Sequence, residues 1–385
     1  MTGRLPGRVQ ETPTNLINTP YSSGCRARLV CLNPFHGFPP PCQPVSSVHE
    51  LTLAGYDFRS RILDNAPDQC HLLHVLADKY EQLRALLRSC GPCLVAYSGG
   101  VDSAFLACVA HNVLGDKSLA VIADSPSLPR RELVEALAIA RQFHFPVRVV
   151  QTAEFENPEY LANPANRCYF CKHELFSLLA PLAKAEGFVV IVYGENASDI
   201  GDYRPGAQAA AQFQVRAPLK EVGLTKTEIR QLSGELGLPT ADKPQMACLS
   251  SRIPHGEPVT EKKLGMIEQA ENFLRDLGFY DVRVRHHELR VSSVQSPVPG
   301  NNAPLGPRHL PLITHLARIE VGLDELPRFL ENGNFTRVAQ ALKQIGYRHV
   351  TLDLEGYRRG STNDVNRLSA SQVTGSTPAD GKPGT

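Results

Sequence analysis

The sequence predicts an α/β protein, with a parallel-sheet domain covered by helices on both faces and a second, smaller α+β domain. Before about residue 255, short apolar runs alternate with segments of helical periodicity, and after Gly256 this alternation is lost. Continuous apolar runs are typical of strands buried on both faces, and their alternation with helices is typical of parallel sheets. This change in the sequence pattern therefore predicts one domain over 70–255 and another over 256–355.

Four apolar runs predict the strands of the first domain, at 93–97, 118–123, 147–150 and 188–193. Apolar residues at helical spacing predict the helices 71–89, 103–114, 129–143 and 171–187. Strand and helix thus follow one another along the chain, as they do in proteins that bind ligands at the carboxyl edge of a parallel sheet.

The second domain is predicted from a longer amphipathic helix and a few alternating strands. The helices are expected at 261–277, 323–332 and 335–346, and the strands at 280–286, 317–321 and near Val350. A proline-rich insertion over about 293–313, with five prolines between 296 and 311, is expected to be a disordered loop. Residues 1–69, with eight prolines in the first fifty, and the polar tail 356–385 are also predicted to be disordered.

The charge of the chain excludes several classes of protein. In 385 residues, 40 Lys and Arg nearly balance 39 Asp and Glu, for a net charge of +1. This balance disfavours a nucleic-acid binder with a strongly basic face, and no apolar run is long enough to span a membrane. Ten thinly spread cysteines and no recognisable secretory signal favour reduced thiols, so we expect a cytoplasmic protein.

The clearest motif is SGGVDS, residues 98–103, between a predicted strand and a predicted helix. Gly99 and Gly100 let backbone N–H groups approach phosphate oxygens, and the positive end of the helix dipole adds to the attraction. Ser98 and Ser103 can donate hydroxyl hydrogen bonds, whereas Asp102 is better suited to hold Mg²⁺ on a pyrophosphate. No lysine follows the second glycine, so this is not the loop of enzymes that transfer a terminal phosphate. The alternative is a plain Gly-Ser turn.

SGGVDS resembles the PP-loop of the ATP pyrophosphatase superfamily. The resemblance implies an adenine nucleotide alpha hydrolase-like fold, with ATP cleaved between its α and β phosphates and a substrate adenylated. The end of the second strand, Asp124 and Ser125, is then expected beside the adenine. Gly194, Asn196 and Asp199, which follow the fourth strand, should face the nucleotide as well, although an ordinary turn rich in Asn and Asp is an alternative for the last two.

Three cysteines form the second candidate site: Cys168 and Cys171 in a CxxC motif, and Cys248 in MACLSSR. A CxxC motif alone fits zinc, a redox pair or coincidence. Zinc would need a fourth ligand such as His173 or His255. Three thiolates with one open position suit an iron–sulfur cluster that keeps an exchangeable iron.

Six motifs together make the sequence similar to the LarE family of ATP-dependent sulfur transferases, over about residues 71–355. They are NRCYFCK (166–172), GENASD (194–199), DYRPG (202–206), APLKEVGLTKTEIR (217–230), DKPQMACLSSR (242–252) and RVRHHE (283–288). The resemblance implies that the enzyme converts pyridinium-3,5-biscarboxylic acid mononucleotide to thiocarboxylates for a nickel-pincer nucleotide cofactor. It also implies a homo-oligomer, since the family tends to form hexamers.

Within this family, sulfur comes from one of two sources. In one branch, the cysteine matching Cys248 gives up its own sulfur and becomes dehydroalanine. In the other, cysteines matching Cys168, Cys171 and Cys248 hold a 4Fe–4S cluster that delivers a spare sulfide. Because all three cysteines are present, the resemblance favours the cluster branch and a separate sulfide source.

Four arginines are candidates for binding substrate or phosphate. Arg283 and Arg285 alternate along a predicted strand, so both can point to one phosphate, and the resemblance assigns such a role to arginines of this strand. Arg204 and Arg252 are further candidates. A solvated strand face is the alternative for Arg283 and Arg285.

Two other functions compete with this interpretation. A tRNA-thiolating enzyme can pair a PP-loop with a CxxC motif, but it needs a basic surface that the net charge does not indicate. A non-catalytic nucleotide sensor or sulfur carrier could use the same loop. Release of AMP and pyrophosphate would exclude the non-catalytic protein, and tRNA binding would separate the two enzymes.

Overall fold

Four strands form a parallel sheet in the computed structural model, which describes residues 67–199, 205–245, 247–291 and 312–358. They are β1 (Cys93–Tyr97), β2 (Ser118–Asp124), β3 (Val147–Gln151) and β4 (Val190–Tyr193), in the order β3-β2-β1-β4. β1 pairs with β2 and with β4 in parallel register, so the loops after β1 and β4 leave the same edge of the sheet side by side. The predicted α/β class with a parallel sheet is confirmed.

Helices cover both faces of this sheet, and their sequences explain which face each covers. The helices of this part are α1 (Pro67–Cys90), α2 (Val101–Leu114), α3 (Arg130–Gln142), α4 (Pro158–Leu161), α5 (Arg167–Glu186), α6 (Pro205–Gln212), α7 (Pro218–Glu221) and α8 (Lys226–Glu235). α2 is apolar on almost every side and buries nine residues, because α1 and α8 cover the side that faces away from the sheet.

The period of two along β1 divides the core into two layers. Cys93, Val95 and Tyr97 face the layer that contains α2, whereas Leu94 and Ala96 face the layer that contains α5 and α6. All five residues of β1 are buried. β1 is therefore an inner strand of the sheet, paired with β2 on one side and β4 on the other.

A second, three-stranded sheet lies later in the chain. β5 (Arg283–Val291) pairs antiparallel with β6 (Leu312–Glu320), which pairs in parallel with β7 (His349–Leu352). α9 (Glu261–Asp276) and α10 (Asn334–Ile345) pack on one face around Leu274, Val284 and Ile319. A small apolar cluster around Tyr160, Leu249 and Ile267 joins α4 and the segment after residue 247 to α9.

Several predicted boundaries differ from the observed ones. α5 begins at Arg167, four residues before the predicted start, so the CxxC motif lies in its first turn. β5 runs over Arg283–Val291 and not over 280–286, because the backbone N–H groups of Tyr280 and Asp281 donate to the Glu325 carboxylate (2.6 and 3.0 Å). The predicted helix 323–332 is a 3₁₀ helix, Leu323–Leu330, with Pro327 inside it.

Most of the predicted disordered segments lie outside the described residues. Of 1–69 only 67–69 are described, at the start of α1, and of the insertion 293–313 only 312–313 are described, in β6.

The division into two domains at residue 255 stays a prediction, since the described residues all belong to one compact unit, Thr52–Thr385. Across the described ranges, no helix combines the length and the apolar character needed to cross a bilayer.

We predict that Thr225→Ala lowers the free energy of unfolding by about 1 kcal/mol. Thr225 caps α8 by accepting from the Glu228 N–H, while the Glu228 carboxylate accepts from the Thr225 N–H at 2.8 Å. Thr227→Ala is the matched control, because Thr227 is exposed in the same helix, and we expect it to be neutral. Urea unfolding checks both; equal midpoints would show that the cap contributes nothing.

Candidate functional site

The loop after β1 is held in a narrow turn by its small residues. Gly99 adopts φ +71°, and a Cβ placed there would lie 2.7 Å from Ala136 Cβ, so both the backbone and the neighbouring helix require glycine. The Ser103 hydroxyl accepts from the Ser98 N–H (3.1 Å) and lies 2.9 Å from the Ser98 hydroxyl. These bonds close the loop onto the first turn of α2.

The N-terminus of α2 opens into a cavity of about 490 Å³. Gly100 is the N-cap and provides no side chain to occupy the free N–H groups of the first turn. Val101, Asp102 and Ser103 all line the cavity. Free N–H groups and the positive end of a helix dipole together form a site suited to a phosphate or another anion.

The chain after β4 closes against this helix end. A Cβ on Gly194 would lie 2.9 Å from the Ser103 nitrogen and 3.1 Å from Asp102 Cβ, so only glycine permits the approach. The Asn196 side chain then donates to Asp102 Oδ2 (3.3 Å), and Asp199 accepts from the Asn196 N–H (3.2 Å). The predicted convergence of the loops after β1 and β4 is therefore observed.

The two carboxylate oxygens of Asp102 differ in their hydrogen-bond and ion-pair partners. Lys226, the first residue of α8, forms an ion pair with Oδ2 at 2.8 Å. Oδ1 is shielded from solvent and has no hydrogen-bond partner among the described residues. A buried carboxylate oxygen without a partner is costly unless a ligand meets it, and its hard oxygen is a donor that fits Mg²⁺.

Sequence reasoning missed two lysines at this site. Lys226 lines the cavity, and Lys243 donates to the Gly99 carbonyl (3.4 Å) while pairing with Glu132 at 2.6 Å and Glu135 at 3.0 Å. Both lie in motifs that carry the family resemblance, but nothing local in the sequence shows that they reach a loop more than 120 residues away. Lys226 adds the positive charge that the phosphate loop itself lacks.

The cavity brings together most of the predicted site residues. Those that line it are Ser98, Gly100, Asp102, Ser103, Cys168, Gly194, Asn196, Asp199 and Cys248, together with Arg167, Lys172, Lys226 and Ser251, among others. Cys171, Asp124, Ser125, Arg252, Arg283 and Arg285 do not belong to its lining, and Arg204 lies outside the described residues.

Asp124 and Ser125 follow β2 at the expected edge of the sheet but bond to other protein groups. Asp124 pairs with Arg130 at 2.5 Å and accepts from Gln151 at 2.9 Å. The Ser125 hydroxyl lies 2.9 Å from that of Ser127, and its carbonyl accepts from Arg130. Their contact with an adenine stays a prediction.

The three candidate cysteines differ in their surroundings. Cys168 is exposed and Cys248 is half-buried, and both face the cavity. Cys171 packs against an apolar cluster, and burial, followed by the charges of Glu154 and Cys248, raises the pKa of its thiol to about 12. No three Cys, His, Asp or Glu side chains within the described ranges are arranged to hold a metal ion.

Arg167 connects these sulfur atoms. It is buried, donates to the Ser250 carbonyl (3.0 Å), and directs Nη2 toward Cys248 Sγ (3.9 Å). Burial by itself lowers the pKa of the Arg167 guanidinium. The negative charges of the nearby cysteines, with Cys248 contributing most and Cys168 next, outweigh it and raise the pKa above its usual value. One buried cation therefore lies among the three thiols, where it can offset negative charge on sulfur.

Arg252, Arg283 and Arg285 are all buried and bonded to protein groups. Arg252 forms a two-bond ion pair with Glu271 (2.8 and 3.1 Å), and Arg285 pairs with Glu320 at 2.8 Å. Arg283 donates to the Gln245 carbonyl (2.6 Å). Arg283 and Arg285 share a strand face as predicted, but in this structure neither guanidinium lines the cavity, so phosphate binding by these arginines stays a prediction.

The fold and the cavity define an α/β protein in which two thiols and a helix N-terminus suited to an anion face the same space. No protein-family model matches the chain. The chain is 42% identical over 291 residues to an uncharacterized protein of Synechocystis sp., a match that covers 76% of this chain and 99% of the relative.

A second relative has a named activity. The chain is 32% identical over 291 residues to the pyridinium-3,5-bisthiocarboxylic acid mononucleotide synthase of Lactiplantibacillus plantarum, covering 75% of this chain and 95% of that protein. A more distant relative, the glutamine-hydrolyzing GMP synthase of Brucella melitensis, is 26% identical over 265 residues, which cover 60% of this chain and 50% of the relative. The chain belongs to the family of the pyridinium-3,5-bisthiocarboxylic acid mononucleotide synthase, the LarE family.

We predict that Gly194→Ala lowers the free energy of unfolding by about 1–3 kcal/mol, as overpacking typically does. The added methyl group would meet the backbone of Ser103 at 2.9 Å, and backbone cannot rotate away as a side chain can. Gly265→Ala is the matched control, since the nearest atom to its added Cβ is 4.0 Å away within α9. Thermal or urea unfolding measures both, and a Gly194→Ala protein as stable as the control would contradict the close approach.

Proposed function

We propose that the protein is an ATP-dependent, AMP-forming sulfur transferase of the PP-loop type. Its substrate would be pyridinium-3,5-biscarboxylic acid mononucleotide, converted to a thiocarboxylate for a nickel-pincer nucleotide cofactor. The observation that carries the proposal is that the phosphate loop, Cys168 and Cys248 line one cavity. Membership of the synthase family supports the reaction, and a relative named as a GMP synthase supports nucleotide chemistry.

The first half of the reaction needs activation of a carboxylate, which is a poor electrophile. A substrate carboxylate oxygen attacks the α-phosphorus of ATP, and pyrophosphate leaves with the electrons of the broken P–O bond. The N–H groups at the start of α2, the Ser98 hydroxyl and Lys226 would bind the phosphate oxygens, and their common position on the cavity wall supports this role. Mg²⁺ on the pyrophosphate would be held by Asp102 through Oδ1, the oxygen without a partner among the described residues.

The second half needs a sulfur nucleophile that displaces AMP from the acyl carbon. In the sacrificial route, Cys248 Sγ forms a thioester as AMP leaves. Loss of the Cα proton to a base then breaks the Cβ–S bond, which yields the thiocarboxylate and dehydroalanine. Arg167, next to Cys248 Sγ, would offset the negative charge of the attacking sulfur.

We favour the cluster route because Cys168 and Cys171 accompany Cys248. Three thiols grouped around Arg167 fit a 4Fe–4S cluster by donor chemistry, although the sulfur atoms would have to rearrange to bind it and Cys171 would have to lose its proton. Cys168, Cys171 and Cys248 would hold the cluster, which when bound would supply the sulfide that displaces AMP. This route requires a separate sulfide source, and we place the reaction in a reducing cytoplasm. A hexameric assembly is part of the same proposal.

Asp102→Ala or Ser98→Ala should lower ATP-dependent formation of AMP and pyrophosphate by at least about 100-fold, the scale seen when one charge-stabilising group is removed. Asp102 would hold Mg²⁺, and Ser98 helps to close the loop through Ser103. A pyrophosphate-release assay measures the rate, and circular dichroism checks the fold.

The control for this experiment is Asp116→Ala, which removes an exposed carboxylate away from the cavity and should retain the parent rate. If Asp102→Ala still releases pyrophosphate at the parent rate, Asp102 does not hold a catalytic Mg²⁺.

A tRNA-binding assay on the parent protein tests the competing tRNA-thiolating function, which would predict tight binding.

Cys248 should be the most sensitive of the ten cysteines, and substitutions at the three site cysteines separate the two sulfur sources. In the cluster route, Cys168→Ala, Cys171→Ala and Cys248→Ala each abolish iron binding and sulfur transfer, and the Cys248 peptide keeps its mass through turnover. In the sacrificial route, the first two variants stay active and Cys248 loses the mass of hydrogen sulfide in one turnover.

Iron and sulfide analysis of anaerobically purified protein, followed by peptide mass spectrometry, measures these outcomes. Cys108→Ala is the control, because Cys108 is buried in α2 away from the cavity, and it should keep both iron and activity. Iron-free protein together with full sulfur transfer by Cys168→Ala would overturn the cluster route and leave the ATP-dependent half standing.

A further inference from the structure

Buried arginines from three different parts of the chain hold the backbone that carries Cys248. Arg283 donates to the carbonyl of Gln245, Arg252 to those of Ala247 and Cys248, Arg167 to that of Ser250, and Arg285 to that of Ser251, at 2.6–3.0 Å. Apart from one 3₁₀ turn, Leu249–Arg252, the described part of this segment has no regular structure. Its carbonyls therefore need side-chain partners, which Arg252 supplies from within the segment and Arg167, Arg283 and Arg285 supply from α5 and β5.

Two members of this set, Arg283 and Arg285, come from β5, and of these Arg285 pairs with a carboxylate on the neighbouring strand β6. Its Nε and Nη2 bind Glu320 on β6 at 2.9 and 2.8 Å, while Nη1 donates to the Ser251 carbonyl at 3.0 Å. Ser251 in turn donates to the Cys248 carbonyl through both its N–H (3.0 Å) and its hydroxyl (2.8 Å). A continuous chain of hydrogen bonds thus runs from the second sheet to Cys248.

We propose that Arg285 is a positioning residue for Cys248, which it fixes at the cavity through Ser251. The expected effect of Arg285 on catalysis rests on the proposed function, whereas its effect on the position of Cys248 does not. Arg285 and Glu320 are 5% and 1% exposed, so the pair is shielded from solvent and the arginine has its charge compensated within the protein. The second sheet then contributes to the active site by fixing the backbone of the residue that carries the Cys248 thiol.

Phosphate binding, the role expected for Arg285 from the sequence, would require a different geometry of its guanidinium group. A phosphate-binding arginine presents its guanidinium to the ligand, whereas this one lies outside the cavity lining and directs opposite edges to Glu320 and Ser251. Loss of a phosphate contact would raise KM for the substrate. Loss of positioning would lower kcat, since a displacement of about 1 Å can cost about 100-fold in rate.

Arg318 provides a matched control within the same sheet. It is the cross-strand neighbour of Arg285 and also pairs with Glu320, at 3.2 Å, but its other contact is Asp353 at 2.8 Å. Arg285→Gln and Arg318→Gln therefore each remove one arginine from the same carboxylate. Arg285→Lys is the second variant, because it keeps the buried positive charge beside Glu320 and should fold even if Arg285→Gln does not.

The test compares two thiols in one protein sample. The full-length chain, purified in air and reduced, is alkylated with N-ethylmaleimide, and peptide mass spectrometry gives the rates at Cys248 and Cys168. We expect the Cys248-to-Cys168 ratio of rates to rise severalfold in Arg285→Gln and Arg285→Lys and to stay at the parent value in Arg318→Gln. A general loss of stability would change both thiols together, so the ratio separates positioning from it.

Steady-state sulfur transfer supplies the second readout. We expect kcat to fall by about 100-fold in the Arg285 variants with KM for the nucleotide substrate unchanged. An unchanged alkylation ratio in folded Arg285→Lys would overturn the proposal, and a raised KM at unchanged kcat and ratio would show phosphate binding in its place. If the parent protein forms no AMP, the proposed function fails, but the alkylation ratio still decides the positioning role.

Discussion

The ion pair between Arg252 and Glu271 is the interaction on which the rest of the site depends. Both side chains are fully buried, and Glu271 also accepts from the Val284 N–H (3.0 Å) and lies 3.5 Å from Arg275. One carboxylate therefore joins α9, β5 and the segment that carries Cys248. Removing one partner of such a buried pair costs about 3–5 kcal/mol, because it leaves an uncompensated charge in the interior.

The site needs this connection because its two halves have different origins. The anion-binding half follows from topology, since parallel strands end at one edge and the chains after β1 and β4 meet there. The sulfur half is built from α5 and an irregular segment that is not itself a strand of either sheet in the described residues. Arg283 and Arg285, both buried residues of the second sheet, donate to backbone carbonyls of that segment.

Much of the fold and half of the site could be predicted from local patterns. Apolar runs identified β1 to β4, and the small residues of 98–103 identified the tight turn between β1 and α2, because both signals are contained within a few consecutive residues. The role of Lys226 could not be predicted, since its contact with Asp102 spans 124 residues, and neither could the contact of Arg167 with Cys248, which spans 81. Likewise, alternation placed Arg283 and Arg285 on one face, but Glu320 and Ser251, which determine where Arg285 points, lie far away in the sequence.

The burial of eight consecutive residues of α2, Ser103–Ala110, has a consequence for how tightly the site can bind. A helix with apolar contacts on nearly every side can exchange its amide protons only when large parts of the protein open. The backbone groups that face a bound anion are therefore already ordered before it arrives. Binding then loses little conformational entropy in the loop, so most of the interaction energy is retained as affinity.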